Sequence, residues 1–310
     1  RKSALMTVDV LITGANGQLG WELGRRAEKK DRTARAFVRT DLNITDADAV
    51  ARTIESLFPK VVINAAAYTA VDKAETEPTA AFSVNRDGPA NLAAVCAAHN
   101  IPLIHISTDY VFDGTNPDAY GEEDPVAPLG VYGASKLAGE DAIRDSQVDH
   151  IILRTAWVYG VHGHNFVKTM LRLAEKQDAL RIVEDQFGCP TFAGDLANAI
   201  LEISDHLING DVPASGLGTF HCTGNGRTTW CDFAHKIFEL AGPTIARVPT
   251  VDGITTAEYP TPAQRPANSV LDCSKLSRTY GITLRPWQSA LAEMLQITLS
   301  GNTNAAKEMR

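Results

Sequence analysis

The sequence predicts an α/β protein built on a Rossmann-type, doubly wound parallel sheet, with a smaller C-terminal substrate-binding region. Short apolar runs alternate with helical patterns over the first part of the chain, a glycine-rich turn follows the first run, and the alternation loosens beyond Tyr159. Residues 1–160, rejoined by 190–224, are therefore expected to form a dinucleotide-binding domain. Residues 161–189 and 225–310 are expected to form the substrate-binding region.

The individual elements follow from apolar runs and helical spacing. Near-continuous apolar runs, typical of strands buried on both faces, predict strands at 8–13, 34–38, 61–64, 103–107, 151–154 and 218–223. Apolar residues at helical spacing predict helices at 78–99, 131–144, 165–175 and 195–203. Thr45 and Thr228 are predicted to cap two further helices, the first of which ends at Pro59.

Composition excludes several classes of protein. The 310 residues are 44% hydrophobic, which is enough for a sizeable core, and 29 basic against 37 acidic residues give a net charge of -8 that disfavours nucleic-acid binding. The longest nearly apolar run, 61–71, is too short to span a bilayer, and the segment before Val8 is too short and polar for a signal peptide. Five cysteines without a Cys-x-x-Cys pair indicate reduced thiols, no zinc site and a cytoplasmic protein.

The first motif is Gly14-x-x-Gly17-x-x-Gly20, between a predicted strand and a predicted helix. Glycines at these positions permit a tight turn and let backbone N–H groups approach a pyrophosphate at a helix N-terminus. Asn16, Gln18 and Leu19 lie in the same turn and share the predicted cofactor contact. The alternative is an ordinary glycine-rich turn, which the adjoining strand and helix make less favourable.

The end of the second predicted strand indicates which dinucleotide binds. Arg39 and Thr40 offer a cation and a hydroxyl suited to a 2′-phosphate, which favours NADPH. Asp41 follows at once, and a carboxylate directed to the ribose would allow NADH instead. Arg39 as a solvated surface charge is the competing interpretation.

A possible acid–base site is formed by Tyr132 and Lys136, which share one face of a predicted helix at i and i+4. An ammonium beside the phenol is expected to lower the pKa of Tyr132. A surface pair is the alternative, but Thr108 ends a predicted strand at the edge where parallel strands line a ligand crevice. Small residues at 65–67 end the preceding strand and leave room for a cofactor.

Longer strings of the sequence resemble a known family. Together with the Thr108, Tyr132 and Lys136 set, residues 64–75, 107–114, 154–159, 185–188 and 259–263 resemble the dTDP-4-dehydrorhamnose reductases of the extended short-chain dehydrogenase/reductase superfamily. The likeness runs from about Val8 to Trp287. It implies NADPH-dependent reduction of the 4-keto group of dTDP-6-deoxy-L-lyxo-4-hexulose to dTDP-L-rhamnose.

The resemblance also implies roles for individual residues. Tyr132 would donate a proton to the developing alkoxide, Thr108 would hydrogen-bond the same oxygen, and Lys136 would hold the nicotinamide ribose. The expected cofactor contacts are Gly14, Asn16, Gly17, Gln18, Leu19, Gly20, Arg39, Asp41, Leu42, Ala65, Ala66, Ala67, Tyr68, Tyr132 and Lys136. The expected dTDP-sugar contacts are Thr108, Asp109, Trp157, Asn165, Gln186 and Arg265. Trp157 as a core aromatic and Arg265 as a loop anchor are the alternatives.

Two other functions stay open at this level. The chain could reduce or epimerise another nucleotide 4-keto-6-deoxy sugar, and an epimerase would consume no net nicotinamide. It could also be a partner protein without catalysis, because the regulatory subunit of methionine adenosyltransferase is similar to these reductases. The presence of Thr108, Tyr132 and Lys136 favours an enzyme.

Metal and assembly are where the sequence departs from the family it resembles. Some of these reductases are magnesium-dependent dimers that share the ion between clustered glutamates. Gly194 stands where one such carboxylate is expected, Asp195 follows it, and Glu293 is the only acidic residue between Trp287 and Ser300. Scattered carboxylates make a weak magnesium site, so we expect no metal at this position, in a protein that is a possible homodimer.

Overall fold

The structure, a computed structural model, describes residues 7–30 and 32–308. Within these ranges the chain forms twelve strands and eleven α-helices. The strands are β1 (Val10–Thr13), β2 (Ala34–Phe37), β3 (Val61–Asn64), β4 (Leu103–Thr108), β5 (His150–Thr155), β6 (Val158–Tyr159), β7 (Ala179–Val183), β8 (Phe187–Gly188), β9 (Thr191–Phe192), β10 (Gly218–His221), β11 (Thr228–Thr229) and β12 (Thr250–Ile254). Residues 1–6, which hold most of the segment predicted to be too short for a signal peptide, lie outside the described residues.

The helices surround the strands in the alternation that the sequence predicts. They are α1 (Gln18–Lys29), α2 (Ala47–Leu57), α3 (Val71–Ala74), α4 (Pro78–Phe82), α5 (Gly88–His99), α6 (Val131–Asp145), α7 (Phe166–Ala174), α8 (Ala193–Asn209), α9 (Trp230–Ala241), α10 (Ser274–Tyr280) and α11 (Trp287–Glu308). Among the described residues, none of these helices has both the length and the apolar character needed to cross a membrane.

Six parallel strands form the central sheet in the order β2-β1-β3-β4-β5-β10. Every residue of β1 and β3 is buried, because helices cover the sheet on both faces. The chain leaves β1 for β2 on one side and reaches β3 on the other, so the strand order reverses between β1 and β3. Strand ends at such a switch point form a ligand crevice. The predicted doubly wound, Rossmann-type fold is confirmed.

Two cores lie on the two faces of this sheet. Val10 and Ile12 of β1 pack with α1 and α8, whereas Leu11 between them packs with α2 and α5 on the opposite face. Because successive strand residues point to opposite faces, a run without polar residues supplies both cores at once. Each fully buried aliphatic side chain stabilises the fold by about 1.5 to 3 kcal/mol relative to exposure.

A separate core lies in the C-terminal part of the chain, where α7, α9 and α11 pack around Phe233 and Leu291. Beside it, β7 pairs in parallel with β12. In the segment 190–224, α8 packs in the sheet core and β10 joins the sheet, as the predicted domain division requires. Leu276 and Tyr280 of α10 also pack in the sheet core, although 225–310 was assigned to the substrate-binding region. The division itself stays a prediction.

Three local predictions are corrected by the hydrogen bonds. Asp46, not Thr45, caps α2, because its side chain accepts from the Ala49 amide at 2.9 Å. Thr229, not Thr228, caps α9 by accepting from the Asp232 amide at 3.0 Å. The predicted helix at 78–99 is interrupted by a π-helical turn at Ser83–Asp87.

Candidate active site

The glycine turn after β1 is shaped by close backbone packing. Gly14 has φ +75°, and a Cβ there would lie 2.6 Å from the Ala66 amide nitrogen. A Cβ at Gly20 would lie 2.1 Å from the Gly14 carbonyl oxygen. Neither position tolerates a side chain. A Cβ at Gly17 would lie 3.3 Å from the Gly14 carbonyl oxygen, which is a tight contact but a milder conflict than at the other two glycines.

The crevice is a cleft of about 740 Å³ at the carboxyl ends of the central strands. Gly17 caps α1 without a side-chain bond, so the first N–H groups of α1 can bind an anion such as a pyrophosphate. Most of the predicted cofactor residues line this cleft, namely Gly14, Asn16, Gly17, Gln18, Leu19, Arg39, Leu42, Ala65, Ala66, Ala67, Tyr68, Tyr132 and Lys136. Gly20 and Asp41 do not line it.

Arg39 and Asp41 differ in their position at the cleft rim. Both are exposed, but only Arg39 lines the cleft, and it forms no ion pair with any other described residue. The Asp41 carboxylate accepts a 3.4 Å hydrogen bond from Thr40. This arrangement leaves a cation, and not a carboxylate, available where a 2′-phosphate would be recognised.

Thr108 and Tyr132 meet at the base of the cleft because α6 begins against the segment that follows β4. A Cβ at Gly133 would lie 2.2 Å from the Tyr110 carbonyl oxygen, so the glycine permits this close approach. The Tyr132 ring meets the Tyr110 ring edge to face, with centroids 5.5 Å apart, and its phenol hydrogen-bonds with Thr108. Lys136 follows one turn later and is buried.

The electrostatics of this group differ from the sequence expectation. Burial raises the pKa of Tyr132 to about 12, the bond with Thr108 opposes the shift, and the charge of Asp109 adds to it. Lys136 Nζ donates to the Ile106 carbonyl oxygen at 2.6 Å and lies 3.3 Å from His105 Nε2. The expectation that Lys136 lowers the pKa of Tyr132 is therefore wrong here, and the phenol is protonated at neutral pH.

Asp109 is a buried carboxylate with one free oxygen. Its Oδ1 accepts from the Thr108 hydroxyl at 3.1 Å, whereas Oδ2 has no hydrogen-bond partner among the described residues. The Ser269 hydroxyl lies nearby but donates to the Phe187 carbonyl at 3.4 Å. Burial raises the pKa of Asp109 to about 6. Asp109 lines the cleft, although its Oδ2 atom is itself shielded from solvent.

Trp157 also lines the cleft and is held in a strained conformation. Its φ is +47°, a left-handed value that is unusual for a bulky residue. The indole stacks on Trp230 with ring centroids 3.5 Å apart, and a Cβ at Gly188 would lie 2.3 Å from the ring. Trp157 is half-buried, lines the cleft and also packs against the C-terminal core.

A second cavity, of about 630 Å³, adjoins the cleft, because Tyr110 lines both. Gln186 and Arg265, two of the predicted dTDP-sugar contacts, both line this second cavity. Gln186 donates to Thr256 Oγ1 at 3.0 Å. Arg265 donates to both Asp72 oxygens, at 2.5 and 2.9 Å, so it anchors its loop as well.

Asn165 is the one predicted substrate residue that lines neither cavity. Its Oδ1 accepts from the Lys168 amide and caps α7, and its Nδ2 donates to the Gly160 carbonyl and to Gln18 Oε1. Its hydrogen-bonding capacity is thus used within the protein. The position of Asn165 indicates a structural role that fixes Gln18 at the cleft.

Two buried polar residues near the site escaped the sequence reasoning. Asn85, in the π-helical turn, bonds the Tyr68 backbone at 2.8 and 3.0 Å and the Ser135 hydroxyl at 3.0 Å, and so ties the loop after β3 to α6. His105 lies fully buried in β4 beside Lys136. The available signal was a polar residue within an otherwise apolar or alanine-rich run.

The surroundings of Gly194, where the resemblance would place a magnesium-binding carboxylate, contain an arginine and an aromatic ring. A Cβ at Gly194 would lie 2.4 Å from the Arg26 guanidinium and 2.6 Å from the Phe192 ring, so a side chain there would require both to move. Asp195 and Glu293 both pair with Arg285, at 2.8 and 2.7 Å. No group of three or more potential ligands (His, Cys, Asp or Glu) occurs among the described residues.

A doubly wound sheet with a glycine turn at its switch point, and a Thr108, Tyr132 and Lys136 set at the strand ends, defines an extended short-chain dehydrogenase/reductase. The RmlD substrate binding domain family matches residues 7–300. Curated relatives named dTDP-4-dehydrorhamnose reductase are 45% identical over 284 residues in Sinorhizobium fredii, covering 92% of this chain and 95% of the relative, and 46% identical over 285 residues in Aggregatibacter actinomycetemcomitans, covering 91% and 96%.

Solved structures agree with these relatives. A dTDP-4-dehydrorhamnose reductase from Clostridium acetobutylicum has 42% identity and a TM-score of 0.87, covering 93% of this chain and 99% of its own. One from Bacillus anthracis, in complex with NADP, has 36% identity and a TM-score of 0.86, covering 94% and 100%. The chain belongs to the dTDP-4-dehydrorhamnose reductase family.

Proposed function

We propose that this protein uses NADPH to reduce the 4-keto group of dTDP-4-dehydro-L-rhamnose, giving dTDP-L-rhamnose. The observation that carries the proposal is that the two cavities adjoin, with Tyr110 in the wall of both. The first holds the predicted dinucleotide residues and the second holds the predicted sugar-nucleotide residues, with Tyr110 on both. Thr108 and Tyr132 lie in the first cavity, beside Tyr110, where a bound sugar and a bound cofactor would meet.

The residues at the meeting point suit a reduction. The nicotinamide supplies the hydride when it is bound. Tyr132 carries its proton at neutral pH, since burial raises a pKa that is ordinarily already 10, so it can donate to an alkoxide. Thr108 is bonded to the same phenol and can hydrogen-bond the developing charge. Lys136 lies one helical turn from Tyr132, within reach of a ribose at the cleft floor.

The preference for NADPH rests on the rim of the cleft. Arg39 faces the cleft without an ion-pair partner among the described residues, and Asp41 does not line it. A guanidinium binds phosphate with charge-assisted hydrogen bonds. Arg39 would therefore stabilise the bound 2′-phosphate of NADPH, a group that NADH lacks. The complex of the Bacillus anthracis reductase with NADP supports this choice of cofactor.

The sugar-nucleotide side rests on Asp109, Trp157, Gln186 and Arg265. Asp109 contributes a carboxylate beside Thr108, and Trp157 contributes an aromatic ring, in the lining of the first cavity. Gln186 and Arg265 offer an amide and a guanidinium in the second, which suit a diphosphate and its pyrimidine or sugar hydroxyls. The position of Asn165 gives no support to its predicted contact. Five free cysteines suit the reducing cytoplasm, which we propose as the compartment.

Incubating the purified protein with NADPH and the dTDP-keto sugar, and following NADPH absorbance, tests this function. We expect stoichiometric loss of NADPH and dTDP-L-rhamnose as the product identified by NMR, with Tyr132→Phe as the inactive control. An epimerised nucleotide sugar formed without net loss of NADPH would identify an epimerase instead. Binding of NADPH without turnover of any 4-keto-6-deoxy nucleotide sugar would favour a regulatory partner protein.

A further inference from the structure

A chain of buried polar side chains lies directly behind Lys136. The Thr13 hydroxyl donates to Asn64 Oδ1 at 2.7 Å, Asn64 Nδ2 lies 3.0 Å from His105 Nδ1, and His105 Nε2 lies 3.3 Å from Lys136 Nζ. All four residues are at most 1% exposed. This row of hydrogen-bonded side chains crosses β1, β3 and β4 beneath the cleft. It therefore connects the core of the sheet to the proposed catalytic lysine.

Donor and acceptor counting fixes the state of the histidine. The backbone amide of Ala66 donates to Asn64 Oδ1 at 3.1 Å, and an amide nitrogen can only donate. Asn64 Oδ1 is therefore the carboxamide oxygen, and the group facing His105 is the NH₂. His105 Nδ1 must accept from it. A neutral imidazole that accepts at Nδ1 carries its proton at Nε2.

That tautomer has a consequence for Lys136. The Nε2–H of His105 is a donor aimed at Lys136 Nζ, and an ammonium group has no lone pair with which to accept it. A neutral amine has one, and it still donates to the Ile106 carbonyl oxygen at 2.6 Å. The observed contacts are satisfied when Lys136 is the neutral amine and leave two donors opposed when it is the ammonium.

We propose that His105, oriented by Asn64, is a positioning residue that stabilises the neutral form of Lys136 and so sets the upper pH limit of the reduction. The proposal rests on the proposed function only for its link to activity. The hydrogen-bonded chain itself holds whatever the enzyme reduces.

The charges around the pair are compatible with this assignment. Glu140, one turn beyond Lys136 on α6, accepts from Arg154 of β5, from Arg144 and from Ser107, so its charge is already matched. Asp109 and Tyr132 lie on the cleft side of Lys136. His150 on β5 has an electrostatic effect that lowers the pKa of His105. Burial lowers the pKa of Lys136 to about 8, against the attraction of Glu140. Burial, then the charge of Lys136, hold the pKa of His105 well below its ordinary value.

The tautomer can be measured without substrate. Nitrogen NMR of the full chain labelled with ¹⁵N-histidine distinguishes the two neutral tautomers and the imidazolium, and the signals of His105 are those missing in His105→Gln. We expect His105 to stay neutral with its proton on Nε2 across pH 6 to about 9. A proton on Nδ1, or an imidazolium in that range, would overturn the proposal even if the enzyme reduces the predicted sugar.

The effect on the lysine is tested by replacing the donor. In His105→Gln the side-chain carbonyl can accept from an ammonium, so the alkaline limb of kcat/KM should move up by about one pH unit. The Lys136 signal in ¹³C-lysine-labelled protein, assigned with Lys136→Arg, should titrate with the same shift. That titration needs no turnover, so it separates failure of this proposal from failure of the proposed function.

A matched control and a second variant complete the test. His221 is another fully buried histidine, on β10, whose Nδ1 bonds the Tyr120 carbonyl and which has no contact with Lys136. His221→Gln should leave the Lys136 titration where it is in the wild type. Asn64→Asp should reverse the tautomer, because a carboxylate accepts from Nδ1–H, and should raise the lysine titration as His105→Gln does. The assignment would be refuted if His221→Gln shifted the Lys136 titration equally. It would also be refuted if neither His105→Gln nor Asn64→Asp shifted it.

Discussion

Arg265 binds the carboxylate of Asp72 through two N–H bonds, and this ion pair joins residues 193 positions apart in the sequence. Asp72 lies in α3, after the first cavity's Ala65–Tyr68 segment, and Arg265 lies in a proline-rich loop of the C-terminal part. Both side chains line the second cavity. The pKa of Asp72 is lowered by the hydrogen bond from Arg265, so the pair is ionised.

This pair allows the anchor role of Arg265 to be separated from substrate binding. Arg265→Gln should raise the KM for the dTDP-sugar roughly ten- to a hundredfold, because a charge-assisted bond to a diphosphate contributes about 1.5 to 3 kcal/mol. Asp72→Asn should weaken the same loop contact but leave the guanidinium in place, with KM nearly unchanged. Steady-state kinetics and thermal unfolding of both variants provide the measurement. Equal KM changes in the two would leave Arg265 as a loop anchor only.

Tyr132→Phe removes the proposed proton donor and little else. The Phe ring can keep the edge contact with Tyr110, and Thr108 keeps its bond to Asp109. We expect turnover to fall roughly 10²- to 10⁴-fold, about 3 to 5 kcal/mol of transition-state stabilisation, with the Kd for NADPH almost unchanged. Single-turnover kinetics and fluorescence titration check both parts. Near-normal turnover would assign the proton to another group.

Arg39→Ala tests the choice of cofactor. If Arg39 binds a 2′-phosphate, the wild type should prefer NADPH to NADH by about ten- to a hundredfold in kcat/KM, and the variant should lose that preference. Arg35→Ala is the control, because Arg35 is an exposed arginine on β2 that does not line the cleft. Equal use of both cofactors by the wild type would make Arg39 a surface charge and return the ribose contact to Asp41.

The fold was predictable from the sequence where a residue pattern is compatible with only one structural environment. The apolar run of β3 could only be buried, and Gly14 and Gly20 could only accommodate close backbone, so the sheet and its glycine turn were predictable. β12 was not, because its five residues include Asp252 and Gly253 and are mostly exposed. Its pairing with β7 depends on contacts far apart in sequence.

The sequence left a prediction ambiguous where two adjacent residues could fill the same role, or where a polar group could have several partners. Thr45 and Asp46 are both good caps, and only the Ala49 amide decides between them. A Tyr-x-x-x-Lys spacing places two side chains on one face, but the carbonyl of Ile106 and the ring of His105 decide where the ammonium points. These contacts form only in the assembled fold and cannot be predicted from the local spacing of residues.

Asp109 should make the folded protein less stable as pH rises. Burial raises the pKa of its carboxyl from 3.8 to about 6, so the folded state binds this proton more tightly than the unfolded chain. That contribution to stability is complete below pH 3.8 and is lost as pH rises through about 6. Asp109→Asn should therefore raise the free energy of unfolding by about 1 to 3 kcal/mol at pH 7, and by much less near pH 4.

Denaturant unfolding at the two pH values measures this difference. Asp113→Asn is the matched control of opposite sign, because hydrogen bonds from Thr115 and Tyr120 lower the pKa of the half-buried Asp113. It should not gain stability at pH 7. A gain in Asp109→Asn that is the same at both pH values would mean that packing, and not the buried charge, is responsible.

The last prediction concerns magnesium. Arg285 lies between the carboxylates of Asp195 and Glu293, and its guanidinium already supplies the positive charge that a divalent cation would bring. Gly194 supplies no carboxylate, a side chain there would have to displace Arg26 and Phe192, and magnesium requires near-octahedral oxygen coordination. We therefore expect EDTA to leave both turnover and the size-exclusion profile unchanged. Arg285→Ala frees the two carboxylates, so added magnesium should raise the Tm of that variant more than that of the wild type. If EDTA dissociates a wild-type dimer and magnesium restores it, a different set of carboxylates holds the ion, and the pairing with Arg285 has no bearing on metal dependence.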